Sequence, residues 1–272
     1  MAALALAEDG DTDITSAVTI AADLDGAEGF IEYRSGGVLA GNAWADAVAR
    51  ACDCGIDWQA AEGQVLPAGA TVAVVRGSLT RLLRAERPLL NLLQRASGIA
   101  TATRSYVGAV AGTPCRILHT RKTAPGLRAL DIAAVLAGGG ARHRTGLSHE
   151  VMVKDNHWRA LRRTEGGLAA GLADARARGV TSLQVEVESV EQMEEAIAAG
   201  ATRLLIDNQT PQILRDWAGR ARGLRAGIEI EATGGLTLET VRSYAEAGAD
   251  FVSIGALTHS VRAADLALEI RN

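Results

Sequence analysis

Two kinds of periodicity share the chain. Up to about residue 80, short β-like runs are punctuated by turns. The segments 29–40 (GFIEYRSGGVLA) and 63–77 (GQVLPAGATVAVVRG) read as strand–turn–strand pieces. Between them, residues 42–52 place Trp44, Ala47, Val48 and Ala51 at helical spacing. The stretch 79–96, with Leu82, Leu83, Leu89, Leu90, Leu92 and Leu93, predicts an amphipathic helix interrupted by Pro88. A second helical stretch, 99–110, is expected after Ser97-Gly98.

From Cys115 onward strands alternate with helical runs. Strands are predicted at 116–119, 151–153, 183–187, 204–206, 228–231 and 251–254. Gly179-Val180, Gly200-Ala201 and Gly248-Ala249 each close a helix and open a strand. Seven residues beyond each glycine stand Glu186, Asp207 and Gly255, at the C-terminal ends of their strands. Arg121-Lys122, Lys154, and Glu231 with Thr233-Gly234-Gly235 follow other strands in the same way. Charged and glycine-rich groups at one end of every strand are what a βα-barrel active face requires, whereas an open sheet would gather them at one switch point. The fold class is therefore α/β: an N-terminal α/β sandwich over residues 1–105, then a partial, six- or seven-stranded βα-barrel over 106–259. One strand is expected to be hidden, and the tail 260–272 is expected to return to the first domain.

Composition narrows the class. With 272 residues, 48% of them hydrophobic and 22% charged, the chain can bury a sizeable core. No apolar run is long enough for a membrane helix, and the N-terminus carries acids instead of a basic leader, so a soluble, cytoplasmic protein is expected. Three cysteines are too few for a disulfide framework. A net charge of −4 gives no whole-chain attraction for nucleic acid or an acidic membrane.

The cations are unevenly chosen. Twenty-six of the 28 basic residues are arginine, and the two lysines are Lys122 and Lys154, both at predicted strand ends. A lysine kept in such a background suits a compact ammonium aimed at one oxygen. Residues 116–163 hold ten basic residues against three acids, +7 in an acidic protein, which points to a small polyanionic ligand. Glu186 and Asp207 reverse the sign on neighbouring strands, as sugar hydroxyls or a bridging Mg²⁺ would require. Thr233-Gly234-Gly235 and Gly255-Ala256 offer backbone N–H groups where such barrels seat phosphate.

Seven ordered segments then point to a family. They are Asn91–Thr101 (NLLQRASGIAT), Thr120-Arg-Lys-Thr123 with Pro125-Gly126, Gly138–Arg144 (GGGARHR), Lys154-Asp-Asn-His157, Val185-Glu-Val-Glu188, Ile206-Asp-Asn208 and Ser253–Ser260 (SIGALTHS). Together they resemble quinolinate phosphoribosyltransferase, the decarboxylating nicotinate-nucleotide pyrophosphorylase of NAD biosynthesis, from Ala5 to the C-terminus. Departures are Thr12, where that family carries glycine before Asp13, and Ala232-Thr233, where it carries serine.

The resemblance implies transfer of phosphoribosyl from phosphoribosyl pyrophosphate to quinolinate with Mg²⁺, giving nicotinate mononucleotide, pyrophosphate and CO₂. It assigns the two quinolinate carboxylates to Arg121, His143, Arg144 and Lys154. Arg95 completes that pocket from the neighbouring subunit, so a homodimer, or a higher oligomer built from it, is expected. Lys122 meets the phosphoribosyl substrate near its leaving pyrophosphate. Glu186 and Asp207 take the ribose hydroxyls and the substrate-borne Mg²⁺, while Thr233, Gly234 and Gly255 take the 5′-phosphate. Two alternatives stand beside this: transfer to another aryl or pyridine carboxylate, and a ligand-binding paralogue without turnover.

Other residues receive milder readings. Cys52-Asp-Cys54 lacks a second pair at metal spacing and reads as buried, inert thiols. His119, His149 and His157 read as orienting or structural, with His259 a secondary candidate beside the phosphate loop. Trp158 reads as core or dimer contact, and Asp155-Asn156 as supports for the Lys154 loop.

Overall fold

A computed structural model describes residues 1–20, 25–148, 150–163 and 166–271; His149 lies outside them. In chain order the elements begin with α1 (Ala2–Glu8), α2 (Ile14–Thr19), β1 (Ala27–Tyr33), β2 (Gly37–Val38), α3 (Asn42–Ala51), β3 (Gly55–Trp58), β4 (Val65–Leu66) and β5 (Ala70–Gly77). They continue with α4 (Leu79–Ala109), β6 (Arg116–Leu118), α5 (Arg128–Ala137), β7 (Val151–Val153), α6 (Asp155–Leu161), α7 (Gly167–Ala177), β8 (Leu183–Val187) and α8 (Val190–Ala199). The last are β9 (Arg203–Asp207), α9 (Pro211–Leu224), β10 (Glu229–Thr233), α10 (Val241–Glu246), β11 (Phe251–Ser253), α11 (Ala256–His259) and β12 (Leu266–Arg271). They divide into two units. The first is Met1–Arg104, Lys122–Gly140 and Ala256–Asn272; the second is Ser105–Arg121 and Ala141–Gly255. Residues 122–140 and 256–259, which the sequence boundary gives to the barrel, thus belong with the first unit.

In the first unit an antiparallel sheet runs β12-β1-β5-β3. Strand β1 alternates strictly, burying Gly29, Ile31 and Tyr33, which is the period-2 signature of a half-buried strand. Gly29 has no Cβ because Leu268 and Leu82 occupy that space. Leu82, Leu89, Leu90 and Leu93 of α4 are fully buried with Ile31 and Tyr33 in the core.

Helix α4 corrects the sequence reading: the two helices expected around Ser97-Gly98 are one helix of 31 residues, with Pro88 inside it. Proline lacks an N–H and crowds the preceding turn, yet Pro88 is buried by packing that outweighs the local penalty. Gly98 is not a stop. A Cβ there would collide with the Arg262 carbonyl, so the glycine serves close approach of two backbones.

The second unit carries six parallel strands in the order β6-β11-β10-β9-β8-β7. Consecutive strands are neighbours from β7 to β11, and the first strand lies beside the last. That progression is a barrel's and has no reversal, unlike a doubly wound sheet. It is interrupted between β6 and β7. The hidden strand is not found: among the described residues that side holds a single parallel bridge, Leu118 to Ala141. Strand β8 is buried at all five positions, Gln184 and Glu186 included.

Arginines fasten the ends of this unit away from the charged strand tips. Arg176 NH2 donates to the carbonyls of Ala199 (2.8 Å) and Gly200 (2.7 Å). Arg222 donates to Gly248 O (2.9 Å), Arg225 to Ala201 O (2.8 Å), and Arg242 to the carbonyls of Ala109 and Ala111 (both 3.3 Å). Carbonyls at and just beyond helix C-termini lack intrahelical partners and attract cations, and a guanidinium fork can hold two at once. Here is a structural reason for the arginine excess.

Candidate active site

All six parallel strands end at the same edge, and that edge gathers charged side chains of the second unit. Arg121 lies three residues beyond β6, His143 and Arg144 just beyond the Ala141 bridge, and Lys154 directly after β7. Glu186 is the fourth residue of β8, Asp207 ends β9, Thr233 ends β10, and Gly255 follows β11. The strand-tip arrangement expected from sequence therefore holds for Arg121, Lys154, Glu186, Asp207, Thr233, Gly234 and Gly255, and the structure adds His143 and Arg144 to it. Arg95 and Lys122 belong to the first unit.

Lys154 and Glu186 form an ion pair in which the carboxylate is buried and the ammonium is 40% exposed. Two contacts orient this pair. The Lys154 backbone N–H donates to His157 Nδ1 (3.0 Å) at the start of α6, and Trp158 Nε1 donates to the Glu186 carbonyl (2.8 Å). His157 is thus an orienting residue and Trp158 a core residue. Asp155 and Asn156 instead meet Arg159, at 3.8 and 3.1 Å.

Two guanidiniums sit near one another, with Glu150, Glu186 and Glu231 opposing their like charge at Arg144. Burial, followed by the like charge of Arg121, pushes the Arg144 pKa below its usual value. Arg121 Nε is buried without a hydrogen-bond partner. Native proteins rarely leave such a donor unsatisfied; an anion would complete it.

His143 is held from two sides. Its backbone N–H donates to His119 Nε2 (3.0 Å), and its own Nε2 lies 3.2 Å from Glu231 Oε2. His119 is fully buried, and burial takes its pKa down to about 4. It is therefore a neutral acceptor at pH 7, a structural part as expected. Glu231 is fully buried as well. Burial would raise it, but His143 and Arg203 outweigh that and hold its carboxyl below the ordinary range. Arg203 reaches it through NH1 at 3.2 Å and salt-bridges Glu229 through NH2 at 2.8 Å, and its Cζ lies 4.0 Å from the Phe251 ring centroid. Sequence reading placed Glu231 at the charged strand end but gave it no role in the site, and it missed Arg203. The available signal was an acid flanked by Ile230 and Ala232.

The acidic side is equally shaped. Burial, then the charge of Glu186, raises the Asp207 pKa, while a hydrogen bond from Asn208 Nδ2 (2.7 Å) opposes the rise. Asn208 has a positive φ of 52° and its N–H donates to the Thr233 carbonyl (3.0 Å). A Cβ on Gly234 would strike the Asn208 side chain and come within 2.8 Å of Asp207 Oδ1. This is a close approach only glycine permits, at φ +86°.

No cluster of three or more His, Cys, Asp or Glu able to hold a metal occurs among the described residues. Two interacting carboxylates, Glu186 and Asp207, fit a divalent cation that brings its other oxygens from substrate and water. They do not form a protein cage. In the first unit, Arg95 donates to Asp131 through Nε and NH2, both at 2.8 Å, and NH2 also reaches Thr258 O (2.9 Å). The thiols of Cys52, Cys54 and Cys115 are buried and free, and burial raises each pKa, that of Cys115 to about 12. His259 Nδ1 lies 2.7 Å from Ser260 Oγ.

Known proteins match along most of the chain. Models of the quinolinate phosphoribosyl transferase N-terminal and C-terminal domains match residues 13–97 and 99–269. A probable carboxylating nicotinate-nucleotide pyrophosphorylase of Bacillus subtilis is 41% identical over 77% of this chain and 71% of its own length. The chloroplastic enzyme of that name in Arabidopsis thaliana is 38% identical over 98% and 81%. Among solved structures, the nicotinate-nucleotide pyrophosphorylase of Francisella tularensis superposes with a TM-score of 0.91 at 32% identity, covering 99% of this chain and 94% of that one. The NadC protein of Streptococcus pyogenes gives 0.89 at 34%, covering 99% and 95%. With both family domains matched in order on the barrel and sandwich just described, the chain belongs to the quinolinate phosphoribosyltransferase family.

Proposed function

We propose that this chain joins quinolinate to phosphoribosyl pyrophosphate, releasing pyrophosphate and CO₂ and yielding nicotinate mononucleotide. The observation that carries the reading is the buried, unpartnered Nε of Arg121 near Arg144, at the same strand edge as the Lys154–Glu186 pair. A flat diacid supplies the acceptor that this Nε donor lacks.

Arg121, His143, Arg144 and Lys154 hold the two carboxylates. Glu186 and Asp207 face the ribose, where departure of pyrophosphate from C1 develops positive charge that carboxylates stabilise. Thr233, Gly234 and Gly255 seat the 5′-phosphate. On the resemblance alone, Lys122 takes up charge on the leaving pyrophosphate. Also on it alone, Arg95 adds a guanidinium across a homodimer working in the cytoplasm. Mg²⁺ arriving on the phosphoribosyl substrate, with Glu186 and Asp207 as its protein ligands, would neutralise pyrophosphate charge. No nucleophilic side chain takes part. The pyridine nitrogen bonds to C1 as the C1–O bond to pyrophosphate breaks, and loss of the 2-carboxylate as CO₂ then leaves an electron pair at C2 that the adjacent pyridinium nitrogen stabilises until a proton from water forms the C2–H bond. Holding both reactants in register supplies a large part of the barrier reduction, on the scale of ~7–11 kcal/mol known for well-oriented reactants.

The test is release of CO₂ and pyrophosphate from phosphoribosyl pyrophosphate with a panel of pyridine and aryl acids. Quinolinate should be the preferred acceptor. Preference for an acid lacking a 2-carboxylate would overturn the substrate, and quinolinate binding without pyrophosphate release would overturn the reaction.

A further inference from the structure

We infer that Asp131 is a positioning residue that ties Arg95 to the Lys122–Ala124 segment, so that the guanidinium assigned to the diacid and the segment whose Lys122 is assigned to pyrophosphate are set together; the functional half of this statement rests on the reading above.

Asp131 is the one acid in an otherwise apolar stretch of α5 and is fully buried. Its Oδ1 accepts from Arg95 Nε at 2.8 Å. Its Oδ2 accepts from Arg95 NH2 at 2.8 Å and from the Ala124 backbone N–H at 3.1 Å. The same Arg95 NH2 donates to Thr258 O (2.9 Å), and Thr258 Oγ1 donates to Lys122 O (2.9 Å). The bonds close a ring: Asp131 to Arg95, Arg95 to Thr258, Thr258 to Lys122, and from Lys122 through two peptide links to Ala124 and back to Asp131. Every member lies in the first unit.

Such a ring is hard to loosen at one point. A buried carboxylate deprived of its guanidinium is an uncompensated charge, and the bidentate fork fixes the plane of Arg95 as well as its distance. A shift of Arg95 must therefore displace the Ala124 N–H or break its bond. Arg95 remains 22% exposed, so it can meet a ligand while anchored. In the homodimer proposed above, Arg95 serves the partner's pocket and Lys122 its own, and Asp131 then links one pocket to the other.

Amide hydrogen exchange of the ligand-free protein tests the link directly. Arg95→Lys keeps the charge and loses the fork, and the Ala124 amide should exchange roughly tenfold faster. Asp131→Asn should raise the KM for both substrates by roughly fivefold. Added to Arg95→Lys, it should change either KM by less than about twofold, because one ring is already open. Unchanged Ala124 exchange, or multiplicative KM effects in the double variant, would overturn the inference. If Asp131→Asn fails to fold, the exchange result with Arg95→Lys decides alone. Exchange needs no substrate, so a wild-type protein that does not turn over quinolinate would defeat the functional reading and leave the ring test standing.

Discussion

The ammonium of Lys154 is bonded to the carboxylate of Glu186, and the main-chain carbonyl of Glu186 is bonded in turn to the indole of Trp158 four residues along from that lysine. Strands β7 and β8 thus hold a cation against an anion, cross-braced through α6. Under the proposed function, a diacid that draws Lys154 away would release Glu186 toward the sugar, so that binding of the acceptor and preparation of the ribose site would be exchanges at one pair of atoms.

Lys154→Arg keeps the charge and changes its shape. A planar fork cannot keep a single-point contact with Glu186 and a substrate oxygen in the same place. We expect kcat/KM to fall on the order of 100-fold, comparable with loss of one transition-state hydrogen-bond donor, with thermal stability nearly unchanged. Steady-state kinetics with both substrates checks this, and wild-type rates would remove Lys154 from the mechanism.

His119 makes stability depend on pH. Its pKa falls from 6.5 to about 4 on folding, so the unfolded chain binds the extra proton between those values. Its contribution is complete above pH 6.5 and fades as pH drops toward 4, by roughly 3 kcal/mol in all. His119→Asn, which keeps an acceptor for the His143 N–H, should flatten that part of the curve of urea unfolding against pH. An identical slope in both proteins would refute the assignment.

Gly234→Ala sets a methyl against Asp207 and Asn208 and forces a left-handed conformation on alanine, at a cost of about 1–2 kcal/mol. The larger effect should be functional: a raised KM for phosphoribosyl pyrophosphate with little change in that for quinolinate. Separate titrations of each substrate distinguish the two.

Mixing Arg95→Ala chains with Lys122→Ala chains checks the shared pocket. After subunit exchange, random pairing should restore about a quarter of wild-type activity through one intact site in each mixed dimer. No recovery, with exchange demonstrated by mass, would mean that each pocket draws both residues from the same chain.

What was legible in the sequence follows from what each feature depends on. Strands β7 and β8 fall on their expected residues because parallel strands read as short apolar runs bounded by turn signals, and the tip residues follow by counting. Ser97-Gly98 misled because its meaning is set by the distant carbonyls of Ala40 and Arg262, against which Ser97 Oγ bonds and Gly98 packs. Asp131 was passed over, and Glu231 was given a strand end but no partner, for a related reason. An acid's burial depends on an arginine arriving from elsewhere in the chain, Arg203 from 28 residues away and Arg95 from 36, and no local pattern announces that pairing.

The arginines that fasten helix ends have a practical corollary for chemical labelling. Because those structural cations are guanidiniums, an amine-selective acylating reagent finds few targets on this chain: the N-terminus, exposed Lys122, and the partly exposed Lys154. The scaffold would stay untouched while both side-chain amines were capped, so the protection each gains from added quinolinate or phosphoribosyl pyrophosphate becomes a direct map of which anion covers which lysine.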